Sequence, residues 1–150
     1  MQIILDTDSK ATGSLTNLQI GYAFFRVYVG ANLFFHGFMR ILTGVGAWEM
    51  PQAVTFEDTF LPMPLVHFAL YLIPYVQVFL GACIVIGLFM RWALIGGLCL
   101  FFILLFGHVV RQNWSGAHIV MHYAVYYWLL LALLSQNRLA MDNRRRATGY

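Results

Sequence analysis

Four long apolar runs, set off by short polar segments, give the chain its pattern. They extend over residues 18–43, 65–90, 92–110 and 117–135. Each is long enough to cross a hydrocarbon core of about 30 Å as an α-helix. Helices are expected because an open strand would leave its backbone groups unpaired in lipid. The pattern therefore predicts an all-α integral membrane four-helix bundle. Pro74 removes a backbone donor from the second run and is expected to kink it. Gly96, Gly97 and Ala93 suit close helix contact in the third. The segment 44–64 is the one substantial connection. Arg91 separates the second and third runs, and Arg111–Gly116 joins the third to the fourth.

Composition agrees with this picture. Hydrophobic residues make up 61% of the chain and charged residues 10%, against about 25% charged in soluble domains. The formal charge of +3 does not point to nucleic acid, since the basic residues are scattered or sit at helix ends. Residues 1–17 form a polar N-terminal segment and 136–150 a basic tail around the membrane domain 18–135. The polar start, with Asp6, Asp8 and Lys10, lacks the features of a removable signal peptide, so the first run is expected to serve as its own insertion signal. Cys83 and Cys99 fall inside apolar runs and read as small packing residues.

Charge then sets orientation. Lys10, Arg91, Arg138, Arg144, Arg145 and Arg146 fall on one side, with Arg40 and Arg111 on the other. The positive-inside rule places the first group, and both termini, in the cytoplasm. Trp48, Trp114 and Tyr150, with Trp92 at the opposite face, fit interfacial aromatic belts. The expected location is the inner (plasma) membrane, as a multi-pass protein.

With the crossings drawn, the five histidines gather toward the outer leaflet. His36 lies late in the first run, His67 early in the second, His108 late in the third, and His118 and His122 early in the fourth. Asn32, His36 and Arg40 share one helical face, as do His118, His122 and Tyr126, and His67, Tyr71 and Tyr75. Polar groups inside a span mark functional sites by default. The candidate ligand-binding set is His36, Arg40, His67, His108, His118 and His122. One reading docks a quinone head group against histidine or Arg40. Another ligates haem or a metal, with the spacing of His118 and His122 compatible with a metal. The plain alternative is that histidine and tyrosine populate the interface, apolar body inward and polar tip outward. Arg26 is a second costly residue; it either snorkels to the interface or pairs with Gln77 as a structural clamp. No phosphate loop, Cys-x-x-Cys or serine-nucleophile motif is present, and no span carries a carboxylate.

Several short runs resemble the DoxX-like membrane proteins, the family that includes the small DoxD subunit of thiosulfate:quinone oxidoreductase. They are Phe25-Arg26-Val27-Tyr28-Val29-Gly30, Phe34-Phe35-His36-Gly37-Phe38-Met39-Arg40, Thr59-Phe60-Leu61-Pro62, Ile73-Pro74-Tyr75-Val76-Gln77, Gly81, and Ile86-Gly87-Leu88-Phe89-Met90-Arg91. The likeness covers about residues 20–135. It implies a four-helix bundle in a membrane redox system, with other membrane or periplasmic subunits as partners. Relatives often carry glutamate where this chain has Gln77, and the histidines of the fourth run look particular to this chain. A cofactor-free structural subunit and a haem-binding electron carrier are the alternatives.

Overall fold

The structure, a computed structural model, describes residues 15–141. The described residues form helices α1 (Asn17–Leu42), α2 (Val45–Val54), α3 (Met63–Ile86), α4 (Met90–Val110) and α5 (Trp114–Ala132), then a 3-10 turn, Leu134–Gln136. There is no strand among them. Lys10, Arg144, Arg145, Arg146 and Tyr150, and with them most of both expected terminal segments, lie outside the described residues.

Local chemistry sets the helix ends. Thr16 caps α1 through a reciprocal box, accepting from the Gln19 backbone at 3.3 Å while the Gln19 side chain accepts from the Thr16 backbone at 3.2 Å. Asn113 caps α5, its side chain accepting from the Gly116 N–H at 3.0 Å. α3 stops at Gly87, whose φ of +78° costs a glycine little and a side chain much. The turn between α3 and α4 is therefore Gly87–Phe89, and Arg91 belongs to the first turn of α4.

The 44–64 connection is more ordered than expected. It contains α2, a short helix entered through Gly44 at φ +93°.

The long helices alternate in direction, as the pairs in contact show. On α1 and α3, Gly30 lies against Ile84 and Val85, and Gly37 lies against Pro74 and Gln77. On α4 and α5, Gly97 lies under the Tyr127 ring, and Gly116 under the His108 ring. Both pairs run antiparallel, and missing side chains let their axes approach closely. Leu80 of α3 reaches Gly96 of α4 and ties the two pairs together. The end of α1, the start of α3, the end of α4 and the start of α5 thus share one end of the molecule, where α2 also lies.

Two helices, α3 and α4, are long and apolar enough to cross a membrane. α1 and α5 carry more polar residues, and on α1 some of these are turned inward. On α1, Arg26 is 5% exposed while Phe24 is 74% and Tyr28 71% exposed.

Candidate functional site

A cavity of about 770 Å³ opens between the two helix pairs, at the end that α2 covers. Its deeper wall is aliphatic and aromatic, including Leu33, Ile73, Leu100, Phe101 and Tyr127. Its polar residues are few, and two are arginines.

Arg40, in the last turn of α1, donates through Nη1 to Oε1 of Gln77 on α3 at 2.8 Å. Its guanidinium also stacks on the Trp48 ring of α2, 4.2 Å from the centroid. Arg111 follows the last turn of α4 and folds back, its Nε donating to the Gly107 carbonyl at 3.2 Å. That bond satisfies one of the carbonyls a helix end leaves open. Arg111 Nη1 donates to Gln52 Oε1 at 3.2 Å and to Thr55 Oγ1 at 2.8 Å. The same guanidinium lies 4.7 Å from the Phe56 ring centroid. Burial pulls Arg111 below the usual arginine range, yet arginine keeps its proton in proteins.

α2 accounts for this pairing. Trp48, Gln52 and Thr55 recur at i, i+4 and i+7, so one face of α2 meets both arginines. Glu49 on the neighbouring face is buried and paired with Nδ1 of His67, which fastens α2 to the start of α3.

Two histidines line the cavity with defined roles. His108 Nδ1 lies 3.1 Å from Arg111 Nη2. Arginine offers only donors, so Nδ1 accepts and the ring proton sits on Nε2. Gly116 leaves just enough room for this ring. His36 Nδ1 lies 2.9 Å from the Asn32 carbonyl and must donate, leaving Nε2 as an acceptor. The cavity therefore holds one imidazole donor and one imidazole acceptor.

Of the six candidate ligand residues, the structure brings His36, Arg40 and His108 to the cavity. His67 is occupied by Glu49, and His118 and His122 are exposed on α5, the His122 Nδ1 bonded to the His118 carbonyl at 2.7 Å. No three of His, Cys, Asp and Glu gather as a metal-binding group among the described residues. The expected clamp between Arg26 and Gln77 is not formed: Gln77 lies against Gly37 and accepts from Arg40. Arg26 lies beside Gly87 and Ala140 at the other end, its Nε and Nη1 buried without a hydrogen-bond partner.

Sequence reasoning missed Arg111, Gln52 and Trp48 as members of this site. The spacing of His108 and Arg111, and of Trp48 and Gln52, was the available signal. Comparison with protein-family models, curated proteins and solved structures gives no match.

Proposed function

We propose that this chain is a four-crossing inner-membrane protein of the DoxX-like kind, serving a membrane redox system, and that its cavity receives a quinone-type head group. The observation that carries this reading is the composition of the cavity. An apolar volume of about 770 Å³ falls within the range of about 300–1,000 Å³ typical of small-ligand sites. At its α2 end stand a fixed cation, an imidazole donor and an imidazole acceptor: Arg40, His108 and His36. A quinone carbonyl accepts from Arg40 or from His108 Nε2–H, and a quinol hydroxyl donates to His36 Nε2. The isoprenoid tail would leave through the apolar wall.

The four-crossing reading is supported by the apolar outer faces of α1 and α5. Phe35 on α1 and Trp128 on α5 stand outward, while Gln19 and Arg26 are buried. That distribution suits lipid outside the helices. The alternating helix directions and the excess of basic residues at the Arg91 end support cytoplasmic termini. Partner subunits in the membrane or periplasm complete the reading, since the chain carries no electron-transfer centre motif of its own.

His108 does not favour haem or metal ligation. With Nδ1 accepting from Arg111, its Nε2 carries the proton, whereas a ligating imidazole nitrogen must be bare.

The test is quinone binding by the purified, lipid-reconstituted full chain, followed by Trp48-dependent fluorescence quenching with Trp48→Phe as the control. Saturable quenching that disappears in His108→Leu supports the assignment. Absence of saturable binding by ubiquinone and menaquinone types alike would overturn it.

A further inference from the structure

The cavity holds two guanidinium groups and no carboxylate. Arg40 and Arg111 both line it, and no Asp or Glu does. Their side-chain partners are neutral: Gln77 for Arg40, and Gln52, Thr55 and the His108 ring for Arg111. Among the described residues the one ion pair joins Glu49 to His67, off the cavity. Glu57 and Asp58 are exposed on the connection after α2. Two positive charges thus share an apolar, partly closed space without a counter-charge. Both arginines are half-buried, and a charge partly withdrawn from water gains from a partner of opposite sign, so an anion entering the cavity meets two uncompensated cations.

The two arginines differ in what they have left to give. Each carries five N–H donors. Arg111 uses Nε–H on Gly107, both Nη1 protons on Gln52 and Thr55, and one Nη2 proton on His108, which leaves one. Arg40 uses one donor on Gln77, which leaves four. Arg111 is a charge fixed in place, and Arg40 is an open fork. Trp48 and Gln52, the α2 residues they touch, stand one turn apart, about 6 Å along the axis. A carboxylate or phosphate accepts two parallel bonds from one such fork.

We propose that the occupant of this cavity is an amphiphile with an oxyanion head, gripped by Arg40 and neutralised by Arg40 and Arg111 together, its hydrocarbon body lying along the apolar wall. The proposal rests on the cavity being a ligand site, as argued above, and narrows its ligand from a neutral head group to a charged one. A fatty carboxylate, a long-chain phosphate monoester and an ionised alkyl-hydroxyquinone share this chemistry. A neutral quinone does not.

The experiment uses the full chain in nanodiscs of zwitterionic lipid. Binding of a radiolabelled long-chain alkyl phosphate is measured, then competed with the fatty acid, the alcohol of the same chain, an alkyl-hydroxynaphthoquinone, a neutral quinone and inorganic phosphate. The expected order places every oxyanion amphiphile at least tenfold tighter than the alcohol, with inorganic phosphate ineffective. Competition by the three head types identifies which source chemistry is preferred. Arg40→Gln is expected to remove that tenfold preference. Arg111→Gln should do the same to a smaller extent. Because the comparison of phosphate with alcohol is made on the unaltered chain, it stands even if a variant fails to fold. Equal binding of phosphate and alcohol overturns the proposal, as does displacement by inorganic phosphate alone. If the neutral quinone binds and the phosphate does not, the oxyanion assignment falls while the quinone site survives. If no amphiphile binds, both readings fall.

Discussion

Arg40 Nη1 and Gln77 Oε1 meet at 2.8 Å across the contact of α1 and α3, one turn from where Gly37 lies on Pro74. The bond does two things at once. It satisfies a buried amide in the middle of an apolar helix, and it aims the arginine at the cavity without cancelling its charge.

Gln77→Leu and Gln77→Glu should therefore separate these roles. The leucine variant strands Arg40 and removes a bond to a charged donor, a loss of about 1.5–3 kcal/mol, read as a lower unfolding midpoint in detergent. The glutamate variant restores a partner and should hold or raise that midpoint. It also neutralises Arg40, so binding of anionic amphiphiles should fall at least tenfold. A glutamate variant that binds them as well as the parent would mean that Arg40 charge is not what the cavity offers.

The glycines of the α1–α3 contact give a second test. A Cβ on Gly81 would lie 2.7 Å from Phe34 Cα and 2.9 Å from the Gly30 carbonyl. Backbone on both sides leaves no flexible side chain to move aside, so Gly81→Ala should cost about 1–3 kcal/mol. Gly21 belongs to the same helix pair but has nothing within 4 Å of its Cβ position. Gly21→Ala should stabilise by roughly 0.5–1 kcal/mol through helix propensity alone. Thermal unfolding of both variants in one detergent checks the contrast, and equal shifts would contradict the packing.

How much of this was readable beforehand depends on which force decided each part. The four apolar runs became four long helices with ends within a few residues of expectation, because length and hydropathy dominate there. α2 was not readable. Val45–Val54 contains Gly46 and Pro51 and has little local drive to be helical; Trp48 on Arg40 and Glu49 on His67 supply the tertiary contacts that hold it. The stripe of Asn32, His36 and Arg40 was visible as a face, and all three line the cavity. The equally regular stripe of His118 and His122 points away from it, because Val120, Tyr123 and Tyr127 occupy the inner face of α5. Periodicity identifies a face but not which neighbour it meets. Arg111 read as an orienting charge because its fold-back onto Gly107 and its bonds to Gln52 and Thr55 are contacts of tertiary origin.

Orientation in the membrane is open to direct labelling. Glu57 follows α2 at the arginine end and is exposed, and Arg138 follows the 3-10 turn at the opposite end and is exposed. With Cys83→Ala and Cys99→Ala as background, Glu57→Cys should react with an impermeant thiol reagent added to intact spheroplasts. Arg138→Cys should react only after the membrane is opened. The reverse pattern would invert the topology, and labelling of both from one side would remove the odd-even crossing count on which it depends.

α2 is the element whose attachment most directly governs the site, and Glu49 on His67 fastens it to α3. Trp48 and Gln52 reach the two arginines from the same short helix, so loosening one end should be felt at both. Glu49→Ala is expected to raise amide exchange across Val45–Val54 by about tenfold, as a local opening that leaves α4 and α5 protected. His67→Ala should do the same. Because each substitution removes the same contact, the double variant should exchange little faster than either single one, the non-additivity expected of a direct pair. Ligand affinity should fall in step with the loss of protection, since the Arg40 fork loses the Trp48 ring that backs it. Additive exchange rates would show that Glu49 and His67 hold α2 through separate partners, and unchanged affinity would show that the arginines keep their positions without it.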